Sequence, residues 1–99
     1  MPEQRSTRRS GADLTAADAG QAGLRQIAEL TGRQPERVTA VEPTEDGWMV
    51  RVEVVEDERI PSSSDILAIY ETEFDVGGEL LSYRRVRRYG RGRGYSDGD

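Results

Sequence analysis

The sequence predicts an α+β fold, one amphipathic helix packed on a four-stranded antiparallel sheet made of two hairpins. Three observations lead there. Thr15 with Asp18 three positions later forms a capping-box pattern, after which Leu24, Ile27, Ala28 and Leu30 recur at helical spacing until Gly32. Residues 48–56 alternate strictly, with Trp48, Val50, Val52 and Val54 on one face and Met49, Arg51, Glu53 and Val55 on the other. Residues 70–89 run outward apolar and acidic, turn at Gly77-Gly78 and return rich in arginine, which is the pattern of a hairpin with oppositely charged arms.

Taken in order, residues 1–14 are polar and have little to bury, so they read as a disordered tail ahead of a single domain spanning 15–91. The helix should cover about residues 16–31. Gly20 and Gly23 weaken it intrinsically, by up to ~1 kcal/mol each relative to alanine, so it depends on packing against the sheet. Residues 33–36 read as a connection. Residues 38–42 form a short alternating run that Pro43 ends or confines to an edge. Thr44-Glu45-Asp46-Gly47 is a turn, with Asp46-Gly47 its strongest signal. After the second strand, Pro61 and three serines prevent continuation, and the third strand begins at Asp65 or Ile66. Residues 92–99 lack any period and read as a flexible tail.

In the final hairpin, Asp75 suits the first position of a type I turn and Gly78 the left-handed residue that closes a three-residue loop. That loop places Phe74 opposite Leu80, Thr72 opposite Ser82 and Tyr70 opposite Arg84, on a face shared with Ala68 and Val86 and covered by the helix. A two-residue Gly77-Gly78 turn slips the pairing by one and sets Glu71 opposite Arg84, and the sequence leaves both registers open.

Ninety-nine residues with 34% hydrophobic content and six aromatics allow one small core. The absence of cysteine excludes disulfides, iron–sulfur clusters and thiolate zinc sites. The absence of histidine removes the commonest metal ligand and the usual general base. No apolar run approaches the ~20 residues of a membrane helix and the N-terminus lacks an apolar signal segment, so a soluble intracellular protein without membrane contact is expected. Net charge is −5, and it is unevenly spread. Residues 36–79 carry thirteen acids against three arginines, whereas residues 80–95 carry six arginines and no acid.

No catalytic constellation is visible. Ser62, Ser63 and Ser64 have no histidine to activate them, and none of the glycines opens a phosphate loop ending in lysine. Glu56-Asp57-Glu58 lacks the spaced ligands and glycine of a calcium loop. Glu71 and Glu73 share a strand face, where pairing with arginines across the hairpin explains them better than an acid/base role. No enzyme and no cofactor are expected. The arginines of residues 84–95, interleaved with Tyr83, Tyr89 and Tyr95, could also grip phosphates and stack on bases, so a small RNA- or DNA-binding module is the alternative reading. The adjoining acidic segment favours neutralisation within the domain and makes nucleic acid the weaker reading.

Several motifs occur in a definite succession: Gly47-Trp48, the valine strand 50–54, Arg59-Ile60-Pro61, Asp65-Ile66-Leu67-Ala68-Ile69-Tyr70-Glu71, Phe74-Asp75 with a glycine turn, and Tyr83-Arg84-Arg85-Val86-Arg87-Arg88-Tyr89. Over about residues 24–91 this succession resembles the gas vesicle protein O family. The resemblance implies a small cytoplasmic accessory protein of gas vesicle formation with no catalytic residues to carry over. It also implies action through other gas vesicle proteins, among them a MoxR-type AAA+ ATPase.

With the helix on the face of Trp48, Val50, Val52, Tyr70 and Phe74, the three-residue-loop register puts Leu67, Ile69, Leu81 and Tyr83 together on the opposite face. An uncovered apolar group of this kind, rimmed by Arg85, Arg87, Glu71 and Glu73, is the expected docking surface for another gas vesicle protein or a second copy of this chain.

Overall fold

The computed structural model describes residues 13–92; of the tails expected at 1–14 and 92–99, residues 1–12 and 93–99 lie outside the described residues. Helix α1 (Ala16–Thr31) is followed by β1 (Gln34–Pro43), β2 (Gly47–Asp57), a short 3-10 turn (Ser62–Ser64), β3 (Ile66–Asp75) and β4 (Leu80–Gly90). The four strands form one antiparallel sheet in chain order, so β1 and β4 are its edges. This is the predicted α+β architecture.

The ends of α1 form as the local sequence demands. Thr15 accepts from the Asp18 amide while the Asp18 carboxylate accepts from the Thr15 amide, closing the capping box at 3.1 and 3.2 Å. Gly32 ends the helix at φ 68°, a left-handed conformation open to glycine, with its amide on the Ala28 carbonyl. Ahead of the cap, Leu14 donates its amide to the Val76 carbonyl at 2.9 Å and packs against the core from beside Gly78.

The buried face of α1 is not centred on the predicted leucine stripe. It consists of Ala19, Gly20, Ala22, Gly23 and Ile27, whereas Leu24 is partly buried and Leu30 exposed. Small residues face the sheet because the helix lies close to it: a methyl group at Gly23 would stand 2.6 Å from Val50 Cγ1. Gly23, one of the two glycines that weaken the isolated helix, is the one that lets it dock.

Val50, Val52, Val54, Ala68 and Phe74 are fully buried beneath this layer, bordered by Leu14, Leu24, Val38, Val41, Trp48, Tyr70 and Leu80. The predicted core face of residues 48–54 is therefore the observed one. β1 begins at Gln34, earlier than the connection expected over residues 33–36. Pro35 is compatible with it because an edge strand need not donate on its outer side.

The β3–β4 turn has the predicted three-residue loop. The Gly78 amide donates to the Asp75 carbonyl, the Asp75 amide to the Glu79 carbonyl, and Gly78 has φ 95°. Asp75 Oδ1 also accepts from the Gly77 and Glu79 amides. Phe74 pairs with Leu80 as that loop requires. One residue later the register shifts. Leu81 is left over and the pairs become Glu73 with Ser82, Thr72 with Tyr83, Glu71 with Arg84 and Tyr70 with Arg85. A second shift leaves over Val86, after which Ile69 faces Arg87, Ala68 faces Arg88 and Leu67 faces Tyr89. The two sequence registers thus occur in successive parts of one hairpin, separated by the bulge at Leu81, and the bulge at Val86 introduces a third that neither turn alone would give.

Candidate functional site

The bulges redistribute the residues expected to form one apolar patch. Cross-strand partners share a face, and β3 alternates, so Thr72 lies with Tyr70 and Phe74 on the α1 side. Tyr83, opposite Thr72, is therefore on the helix-bearing face, with its ring centroid 6.4 Å from that of Tyr70. Arg85, opposite Tyr70, follows it there. Leu67, Ile69, Glu71, Glu73 and Arg87 are on the far face. Leu67 and Ile69 are only 4% and 8% exposed, whereas Leu81, at the first bulge, is 52% exposed. Val86, expected under the helix, instead borders a far-face cleft together with Ile69 and Arg87 and is 41% exposed. The eight residues do not form one surface; β4 presents some of them on each side.

On the far face the apolar side chains are enclosed by charged and aromatic ones. A shallow cleft of about 520 Å³ has Leu67, Tyr89, Arg87, Arg37, Glu53 and Arg91 among its walls. The Arg87 guanidinium lies 4.9 Å from the centre of the Tyr89 ring. Arg37 Nε donates to buried Glu53 at 3.1 Å. Glu71 receives Arg51 on one oxygen, at 3.0 and 2.9 Å, and Arg84 on the other at 3.1 Å. The hydrogen bond from Arg51, seconded by Arg84, holds the Glu71 carboxyl below the ordinary glutamate value against the opposing effect of burial.

On the helix side the organising acid is Glu56. Its Oε2 accepts from Arg85 Nη1 at 2.7 Å, its Oε1 lies 3.5 Å from Arg88 Nε without a hydrogen bond, and its backbone carbonyl accepts from Arg33 at 2.6 Å. Asp65 joins the start of β3 to its surroundings, accepting from the Arg59 amide at 2.8 Å and from Arg91 at 3.1 Å. The Arg59 amide and then Arg91 keep its carboxyl below the ordinary aspartate range. Arg91 also reaches Glu36 at 3.2 Å. The β4 residues Arg84, Arg85 and Arg88 are therefore matched to acids of β3 and β2, and Arg91 just beyond β4 to Glu36 and Asp65. The charge contrast in sequence points to Glu71, but Glu36, Glu53 and Glu56 have no local signal, because only the strand order brings them within reach.

Charge is also sorted along the strands. Residues 38–50 and 72–83 contain no arginine but carry Glu42, Glu45, Asp46, Glu73, Asp75 and Glu79. Because Gly47 pairs with Asp75, both hairpin tips lie at the same end of the sheet, and that end is acidic. Among the described residues no group of three or more acids, histidines or cysteines is arranged to hold a metal ion. None of their helices is long and apolar enough to cross a membrane.

The family model for "Gas vesicle synthesis protein GvpO" matches residues 2–95. The chain belongs to the GvpO family. Its curated relatives include gas vesicle protein O of Streptomyces sp. (strain CB03234), 57% identical over 68 residues that make up 69% of this chain and 53% of the relative. The chain thus spans about half the length of that protein. Gas vesicle protein O1 of Halobacterium salinarum is 33% identical, with 92% of this chain and 71% of the relative covered. Gas vesicle protein O of Haloferax mediterranei is 31% identical, with 92% and 77% covered. No solved structure matches the chain. The GvpO match agrees with the motif succession read from residues 47–89.

Proposed function

We propose that this protein is a non-enzymatic accessory factor in gas vesicle formation that acts by docking other gas vesicle proteins through β4. Family membership supports the process, and the exposure of β4 supports the mode of action. Of six large apolar side chains exposed among the described residues, Leu81, Tyr83 and Val86 are on this single edge strand. A patch of this kind on an edge is suited to a protein partner. The MoxR-type AAA+ ATPase implied by the family resemblance is one candidate, and a second copy of this chain another.

The arginines of β4 favour this reading over the nucleic-acid one. Arg84, Arg85 and Arg88 face Glu71 and Glu56, so gripping phosphates would require separating existing ion pairs. The test is replacement of the native gene, in a vesicle-forming host, by Leu81→Glu with Val86→Glu. Both positions are exposed, so the variant should fold, while gas vesicle yield and co-purification of other gas vesicle proteins fall together. Normal vesicles and normal co-purification would refute docking through β4. Salt-sensitive RNA binding that these changes leave intact but Arg84→Glu abolishes would favour the alternative.

A further inference from the structure

The connection between β2 and β3 holds in place a side chain that the fold itself does not use. Five of the exposed large apolar side chains, Leu30, Val76, Leu81, Tyr83 and Val86, are 41–52% exposed, so the chain covers about half of each. Ile60 is 100% exposed and buries nothing against its own chain. A lone exposed isoleucine is ordinary in a loose loop, but this loop is braced on both sides.

Ahead of Ile60, the Arg59 amide donates to Asp65 Oδ1 at 2.8 Å and the Arg59 guanidinium to Asp57 at 2.8 Å. After it, Pro61 fixes its own φ at −74° and opens the 3-10 turn, in which the Ser64 amide donates to the Pro61 carbonyl and the Asp65 amide to the Ser62 carbonyl. Asp65, only 5% exposed, ties the loop to the sheet. Its carbonyl accepts from the Arg91 amide at 2.8 Å and its carboxylate from the Arg91 guanidinium at 3.1 Å. The chain beyond β4 lies against the loop as well, since a Cβ at Gly92 would stand 3.0 Å from the Ser63 carbonyl oxygen. None of these bonds involves the Ile60 side chain.

We propose that Ile60 is a docking anchor, seated in an apolar pocket of a protein partner that sets a basic residue opposite Glu58. A side chain held in one place before binding loses little backbone freedom on binding, so its burial goes into affinity. Glu58, Arg59, Ile60, Ser62 and Asp65 line a shallow cleft of about 550 Å³. Of its charged residues, Arg59 is matched by Asp57 and Asp65 by Arg91. Arg33 shares a second cleft with Glu58, but its guanidinium is directed to the Glu56 carbonyl. Glu58 makes no hydrogen bond or ion pair among the described residues, and a lysine or arginine of the partner would supply one. The contact goes beyond docking through β4 and does not depend on it. Ile66 pairs with Gly90, whereas Asp75 pairs with Gly47, so the loop lies at the end of the sheet opposite both hairpin tips.

Ile60→Val, Ile60→Ala and Ile60→Asp, introduced into the native gene of a vesicle-forming host and also purified, test the anchor. All three should melt with the native chain, because the side chain packs against nothing in it. Vesicle yield should stay near native for valine, fall several-fold for alanine and be lost for aspartate. A photocrosslinking p-benzoylphenylalanine at position 62, which leaves Ile60 in place, should join a gas vesicle protein at one apolar segment. That protein, purified, should bind Ile60→Ala about tenfold more weakly than the native chain. It should also bind Glu58→Lys more weakly, by a margin that shrinks as salt is added.

Native yield with Ile60→Asp, or no crosslink from position 62, would overturn the proposal. A lowered melting temperature for Ile60→Ala would do the same, by giving the side chain a place in the packing of its own chain. Native affinity of Glu58→Lys would remove the basic residue from the partner's pocket. Loss of yield with Ile60→Asp but not with Leu81→Glu and Val86→Glu would leave the loop contact standing and remove docking through β4, and the converse would remove the loop contact alone.

Discussion

Beneath α1, the β1–β2 half of the sheet is closed by apolar contact. Val50, Val52 and Val54 meet a helix surface so small that Gly23 allows near contact with Val50. The β3–β4 half has the same pleat and similar strand lengths, yet beyond Ala68, Thr72 and Phe74 its helix side is finished by the Tyr70–Tyr83 pair and the Arg85–Glu56 ion pair, and its far face by the ion pairs of Glu71. Apolar burial supplies most of the stability of a small domain, whereas exposed ion pairs contribute little individually. The first half therefore holds the fold, and the second is free to carry a binding surface whose residues can change without unfolding it.

The widest expected separation is in aromatic truncation, between the core-lining β3 residue Phe74 and the edge-strand residue Tyr83. Phe74 is fully buried, and Phe74→Ala should cost about 3–5 kcal/mol, much of the stability of a domain this size. Tyr83 keeps 42% of its surface exposed, so Tyr83→Ala should lose only the ring contact with Tyr70 and part of a small burial, about 1 kcal/mol. Thermal melts should show Tyr83→Ala folded and Phe74→Ala largely unfolded. Equal losses would mean that β4 belongs to the core after all.

Next in size is a matched pair of glycines within the closed half. A Cβ at Gly23 would stand 2.6 Å from Val50 Cγ1, so Gly23→Ala should destabilise by about 1–3 kcal/mol despite alanine's better helix propensity. At Gly20 the nearest atoms would be 3.7 Å away on Val41, an ordinary contact, and Gly20→Ala should stabilise by up to about 1 kcal/mol. Opposite shifts in the melting temperature, of several degrees each, are the expected result. Shifts of the same sign would show that helix propensity rather than proximity decides both positions.

Much of the closed half is legible in the sequence itself. The capping box, Gly32 and the alternation of residues 48–54 act over a few residues, and each element forms as its own sequence demands. The features that escape a sequence reading depend on neighbours distant along the chain. Pro35 reads as a strand breaker until β1 is known to be an edge, and Gly23 reads as a weakness until Val50 is placed against it. The surface on β4 is the least legible, because the bulges at Leu81 and Val86 leave no compositional mark. Each shifts the strand by one residue, so Tyr83 and Arg85 fall on the helix side while Arg87 stays on the far face. Both hairpin registers that the sequence allows are present, and only the bulges make them compatible.

A smaller effect concerns the junction between the halves. Leu14 ties the chain ahead of α1 to the tip of the β3–β4 hairpin through the Val76 carbonyl and Gly78. A chain trimmed to residues 13–91 should melt within a few degrees of the full-length protein. Beginning at residue 15 removes a partly buried leucine and a hydrogen bond, and should cost about 1–2 kcal/mol further. Identical melting of the two trimmed chains would show that Leu14 contributes nothing to holding the hairpin against the helix.

The smallest expected effect is electrostatic and belongs to the far face of the open half. Glu71 is held below its ordinary pKa by hydrogen bonds from Arg51 and then Arg84. A carboxyl whose pKa is depressed on folding adds stability that is fully present above the unfolded-chain value of about 4.3 and is lost as pH falls through the folded value. Both arginines are substantially exposed, at 45% and 74% of their side chains, so the contribution should remain below about 1 kcal/mol. Glu71→Gln should therefore melt slightly below the native chain at pH 7, and the gap should close as pH falls from about 5 to 3. A gap that persists unchanged at pH 3 would mean that Glu71 acts by shape and neutral hydrogen bonding. The far face would then be held, like the helix side of β1–β2, by packing rather than by charge.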